Sequence, residues 1–164
     1  MKYLITLFCL LLLGCSNAPV LRQDVAQLPS QTQAIRLFKV IQLTANGDVR
    51  QTSLLVFQAQ SNQWRWIQTD PLGAPVARLL LTREGWQNDG FIMPNKQAMW
   101  LFSALATKMN ENRPLFTFSR ISDEAKTRIY FINQTEAWRI QSVSSQIFIQ
   151  LADHSRWQIN ELTP

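Results

Sequence analysis

One stretch of helical periodicity stands between two blocks of strand-like segments. That order limits the chain to a sheet covered by a single helix. Pro94-Asn95 offers a helix start with Asn95 as N-cap, and Ala98, Leu101, Phe102, Leu105 and Met109 follow at helical spacing, with Met99 and Ala106 widening the stripe. Asn110 to Pro114 ends the helix, because proline and the residue before it resist helical continuation. Ahead of it, strands are expected over Ala34–Leu43, Val49–Gln60, Trp64–Thr69, Pro75–Leu81 and Trp86–Met93. Asn46-Gly47 between the first two is a hairpin signal, since both central residues of a type I′ turn need positive φ. Asp70-Pro71-Leu72-Gly73 reads as a turn by its proline and glycine. After the helix, strands are expected over Leu115–Ile121, Thr127–Ile132, Glu136–Ser142, Gln146–Leu151 and Arg156–Leu162.

A lone amphipathic helix must bury its apolar face on a sheet. The expectation is therefore a mainly β, α+β fold: a curved antiparallel sheet, or incomplete β-barrel, of about ten strands, with the helix plugging its open side. Such a shape has a concave apolar interior, and barrel mouths are common ligand sites. Candidate lining residues on one face are Trp66, Leu79, Trp86, Leu101, Phe102, Leu105, Phe131, Trp138 and Phe148. A register error of one residue would reverse any strand's face.

The N-terminus begins Met1-Lys2 and runs uncharged from Tyr3 to Leu13, the pattern of a secretory signal and short of the ~20 apolar residues of a membrane span. It ends Leu12-Leu13-Gly14-Cys15, which resembles the bacterial lipobox, although Leu13 is bulkier than the usual residue there. The resemblance implies cleavage after Gly14, diacylglycerol on Cys15, and acylation of the new amino terminus with a palmitate-type chain. Residues 1–14 are then a signal peptide, 15–33 a lipidated tether containing Pro19 and Pro29, and 34–164 a single domain. Ser16 after the cysteine, rather than aspartate, points to the outer membrane. Cys9 leaves with the signal, so no internal disulfide and no cysteine metal site are expected.

The formal charge of +5 includes Lys2, and the basic residues are scattered rather than clustered. A modest positive field suits an anionic membrane surface, and an exported, tethered protein has little access to nucleic acid. Catalytic groupings are sparse. His154 is the only histidine, in the turn Ala152-Asp153-His154-Ser155, and Asp123-Glu124 reads as an exposed turn before Ala125-Lys126. The five glycines are not clustered into a phosphate loop. No enzyme, metal or cofactor other than the covalent lipid on Cys15 is expected. Six tryptophans are the more informative feature, serving as core or as a lipid-facing lining.

Gln63-Trp64-Arg65-Trp66-Ile67-Gln68-Thr69-Asp70-Pro71-Leu72-Gly73 resembles the strand and Asn-Pro-Leu-Gly turn of the LolB family, with Asp70 in place of the asparagine. Thr69 to Gly90, with Gly85-Trp86-Gln87-Asn88-Asp89-Gly90, resembles more closely a family of LolB-like lipoproteins linked with clusters for aryl-polyene or other fatty-acid-like lipids. LolB proteins are outer-membrane lipoproteins with an incomplete barrel and an apolar cavity. They accept acylated lipoproteins from a periplasmic carrier protein and release them into the membrane, using a leucine on a protruding loop. The resemblance implies that Pro71, Leu72 and Gly73 form that membrane-insertion loop on the periplasmic face. Leu72 either projects for this purpose or folds back onto the core. LolB is longer and richer in helix, so the implied cargo is either a lipid or an acylated protein. A non-catalytic scaffold docking a biosynthetic or export complex is the first alternative, and a lipid hydrolase using His154 the second.

Overall fold

The computed structural model describes Leu28 and residues 34–162. The expected signal peptide, residues 1–14, and the expected lipid attachment at Cys15 lie outside the described residues. Ten strands form one antiparallel sheet: β1 (Ile35–Leu43), β2 (Val49–Ala59), β3 (Trp64–Thr69), β4 (Pro75–Thr82), β5 (Gly85–Asn88), β6 (Arg120–Glu124), β7 (Thr127–Ile132), β8 (Thr135–Val143), β9 (Gln146–Leu151) and β10 (Arg156–Leu162). Helix α1 (Lys96–Met109) joins the two blocks.

The spatial order is β5-β4-β3-β2-β1-β10-β9-β8-β7-β6. Each block is a meander of hairpins, and the blocks are joined where the first strand pairs with the last. Leu37 faces Leu162 and Leu43 faces Arg156 across that seam. Arg36 grips Glu161 there with two 2.6 Å hydrogen bonds, and the guanidinium holds the Glu161 carboxyl below its ordinary range despite partial burial. The edges are β5 and β6, and α1 is the connection between them. The sheet is thus an incomplete barrel whose two free edges are bridged by one helix.

Alternation assigns the faces. Phe38 and Val40 of β1, Leu55 and Phe57 of β2, Trp64 and Trp66 of β3, and Leu79 and Leu81 of β4 are buried on the inner side. Registers Phe38↔Leu55, Phe57↔Trp66 and Trp66↔Leu79 set these side chains in rows across the strands. In the second block Tyr130, Trp138, Ile140, Ile149, Leu151 and Ile159 complete the layer.

α1 is capped as its sequence requires. The Asn95 side chain accepts from the Ala98 N–H at 3.0 Å, and Asn110 closes the other end on the Thr107 and Ala106 carbonyls. Every residue from Leu101 to Thr107 is buried. Seven consecutive residues span two turns and point in all directions, so the helix is enclosed rather than laid on one face. Ser103 and Thr107, polar and fully buried, donate to the carbonyls one turn back, at 2.7 and 2.8 Å. Leu115 and Phe116, on the segment returning to the sheet, are also in the core.

Four local expectations change. The β1–β2 connection is not a two-residue type I′ turn: Gly47 alone has positive φ (93°), and Thr44 N–H bonds to Asp48 O at 2.8 Å across a longer loop. A pair with positive φ sits instead at Asn133-Gln134, between β7 and β8. β5 stops at Asn88 rather than Met93, because Asn88 turns its side-chain amide onto the carbonyls of Gly90 and Ile92. β6 begins at Arg120, five residues later than expected, because Leu115 and Phe116 are spent on the core beside α1. Leu28, within the stretch read as tether, is buried and belongs to the same core.

Candidate functional site

The turn between β3 and β4 is built to hold its tip rigidly. Asp70 Oδ1 accepts from the backbone N–H of Leu72 at 2.9 Å and of Ala74 at 2.8 Å. The Asp70 N–H donates to Ala74 O, and the Gly73 N–H to Asp70 O. Gly73 takes φ 87°, which a side chain would strain. Aspartate supplies the acceptor here, as Asx turns require. Leu72, between these anchors, is 94% exposed. Of the two fates open to it, projection is the one adopted.

The interior candidates divide into three groups. Trp66, Leu101, Phe102, Leu105 and Trp138 have no accessible surface, and Leu79 has almost none. Zero accessibility means that no water-sized space touches them, so they pack on one another in this conformation. Trp66 stacks on Phe102 at 5.5 Å and 14°, and meets Phe57 at 4.6 Å. Trp138 is ringed by Trp100, Phe118 and Tyr130 within about 6 Å. Trp86 is partly buried at the edge, its indole N–H donating to Ser103 Oγ at 3.0 Å and so tying β5 to α1.

Phe131 and Phe148 lie on the opposite face. Phe131 neighbours the inward Tyr130 and Ile132, and its ring carries the Arg120 guanidinium at 3.9 Å. Phe148 pairs with Gln141 and Gln158 and lines an outer groove of about 370 Å³ with Arg139, Gln150 and Arg156.

The inner layer contains unmet polar capacity. The indole N–H groups of Trp64, Trp66 and Trp138 have no hydrogen-bond acceptor. An unmet buried donor costs roughly 1–3 kcal/mol. Near the β1–β2 end the same face turns polar, where Gln68 donates to Ser53 Oγ at 2.7 Å.

His154 has φ 63° and donates its backbone N–H to Leu151 O, as a turn residue. Asp153 is engaged elsewhere: it accepts from Ser155 N–H and Oγ and from Gln97 Nε2. Burial pushes its carboxyl up, but these donors outweigh that and hold it below the ordinary range. Gln97 thereby ties the first turn of α1 to the β9–β10 turn. Asp123 lies on β6 rather than in a turn, paired with Arg128 at 2.7 Å. Among the described residues, no cluster of three or more metal-ligating side chains occurs, and no helix is long and apolar enough to cross a membrane.

Two residues read as strand, Phe91 and Met93, are instead among the most exposed large apolar side chains described. The breaker residues around them, Asp89-Gly90 and Pro94, were the available signal. No protein-family model matches the chain, and no curated protein matches it.

Proposed function

We propose that this protein is a LolB-like lipoprotein, anchored through Cys15 on the periplasmic face of the outer membrane, that helps deliver an acyl chain to the bilayer. The observation that carries the reading is Leu72: a leucine nine-tenths exposed, at the tip of a turn braced by Asp70 and Gly73. Burying such a side chain in lipid recovers about 1.5–3 kcal/mol. That biases docking and perturbs acyl packing without anchoring the domain.

The filled interior then corresponds to the unloaded state, with α1 in the place of cargo. Re-burying Leu101, Phe102 and Leu105 contributes about 5–9 kcal/mol, which favours release of a chain once a bilayer is available. A palmitate-length chain gains on the order of 10 kcal/mol on leaving water, at about 0.8 kcal/mol per methylene, so it can compete with the helix. The three unpartnered indoles offer donors to a carbonyl or carboxylate head. Cargo is a lipid or an acylated protein, supplied by a periplasmic carrier. No covalent step is required.

A second reading, a lipid-tethered scaffold that docks a biosynthetic or export complex, is favoured by the complete burial of Trp66, Phe102 and Trp138. Native mass spectrometry of protein purified from membranes separates the two. Carriage predicts an added acyl-lipid mass that persists after detergent exchange. An unloaded mass with a stoichiometric protein partner would replace carriage by scaffolding.

A further inference from the structure

We propose that the β5–α1 connection is a second bilayer contact, in which Phe91 and Met93 enter the acyl region beside Leu72. The domain then meets the membrane by the end of the sheet that carries the 70–74 and 89–95 connections. The identity of the surface rests on the lipoprotein reading above; the existence of a second contact rests on the loop itself.

The registers place both connections at one end. Trp64 pairs with Leu81 and Thr69 with Pro75, so β3 runs toward the Leu72 turn and β4 away from it. Leu79 pairs with Asn88 and Leu81 with Trp86, so β5 runs back to the same end on the neighbouring strand. The loop is pinned there. Asn88 Nδ2 donates to Gly90 O at 2.8 Å and Ile92 O at 2.6 Å, Gly90 takes φ 106°, and Asn95 begins the helix. Ile92 is partly buried while Phe91 and Met93, on either side of it, point outward, fully exposed and 85% exposed. The hydrogen bonds from Asn88 fix the loop backbone in the conformation that leaves these side chains exposed.

Three exposed large apolar side chains on two connections at one end of the sheet suit a bilayer, which needs no matching pocket. The charges at this end agree. Lys96 directly follows the loop, and Arg50 and Arg120 are exposed near the starts of β2 and β6. Against them stand Asp48, which is exposed, and four carboxylates already engaged: Asp70 by its turn, Asp153 by Ser155 and Gln97, Asp89 by Arg65 and Arg78 at 3.2 and 3.1 Å, and Glu136 by Arg139 at 2.6 Å. The anchor also reaches. Thirteen residues from Cys15 to the buried Leu28 span about 45 Å when extended, whereas the longest strand, β2 with 11 residues, is about 36 Å. A lipid on Cys15 therefore permits either end of the sheet to face the membrane, and the apolar tips select this one.

The test uses the lipidated mature protein with a single environment-sensitive nitrobenzoxadiazole label at Phe91→Cys, Leu72→Cys or Ser145→Cys. Ser145 lies in the β8–β9 turn at the opposite end. Vesicles contain phosphatidylethanolamine and phosphatidylglycerol with bromine-labelled acyl chains. Labels at 91 and 72 are expected to shift to the blue and lose emission to bromine, while the label at 145 keeps its aqueous spectrum. An aqueous spectrum at 91 with quenching at 72 would overturn the second contact and leave the Leu72 reading standing. Aqueous spectra at both would overturn both, and quenching at 145 equal to that at 91 would overturn the orientation.

Discussion

Leu72→Glu is expected to reduce delivery of an acylated fluorescent cargo into vesicles by about a hundredfold, with folding stability unchanged to within about 0.5 kcal/mol. Leu72 is almost wholly exposed, and the hydrogen bonds that shape its turn come from its backbone N–H and from Asp70, which the substitution leaves in place. In lipid the same change has two costs. The leucine burial of about 1.5–3 kcal/mol is lost, and a carboxylate at the headgroup–acyl boundary adds up to about 1 kcal/mol. Together they amount to about one to three factors of ten, at about 1.4 kcal/mol each. Leu72→Met should transfer close to the native rate. Transfer by Leu72→Glu at the native rate would remove the tip from the mechanism.

Trp66→Ala is expected to destabilise the domain by about 3–5 kcal/mol, a large share of the 5–15 kcal/mol typical of a domain. Trp66 links sheet to helix: it stacks on Phe102 of α1 and packs against Phe57 of β2 and Trp86 of β5. Its removal leaves a void that a rigid sheet on one side and an enclosed helix on the other can close only in part. Urea unfolding would show the loss as a midpoint lowered by about 2 M, for a slope near 2 kcal/mol/M. Trp66→Phe should cost less than half as much, because the lost indole N–H has no acceptor. An unchanged midpoint in Trp66→Ala would mean that the aromatic layer does not hold α1.

Sequence patterns reached the architecture because period-2 and period-3.6 signals were separate in this chain. β3 and β4 alternate cleanly, so Trp66 and Leu79 were assigned to the inner face and lie there. Faces failed where both parities are apolar. Ile129-Tyr130-Phe131-Ile132 allows either orientation, and the pairing with neighbours sends Phe131 outward; in β9 Gln146 and Gln150 share the parity of Phe148, a signal that sets Ile147, Ile149 and Leu151 inward and Phe148 outward. The extent of α1's enclosure was not legible either. Ser103 and Thr107 lie outside the apolar stripe of the helix in sequence, yet they are buried, each satisfying its hydroxyl within the helix. The Leu72 turn was visible from Pro71 and Gly73, but the exposure of Leu72 depends on the Asp70 bracing and on neighbours distant in sequence. Phe91 and Met93 were hidden inside an apparent strand that Asn88 ends by capping the following loop. Leu28 offered no periodic partner from which its burial could be read.

Carriage requires α1 to leave the curl of the sheet when a chain enters it. The most direct measurement is amide hydrogen exchange over residues 96–109, with and without a palmitate-length fatty acid, beside a six-carbon acid as control. Faster exchange confined to the helix and its return segment, with the long chain alone, is the result predicted. Unchanged protection of α1 at saturating fatty acid, or no binding at all, would contradict the account and leave a tethered docking domain with a permanently filled core.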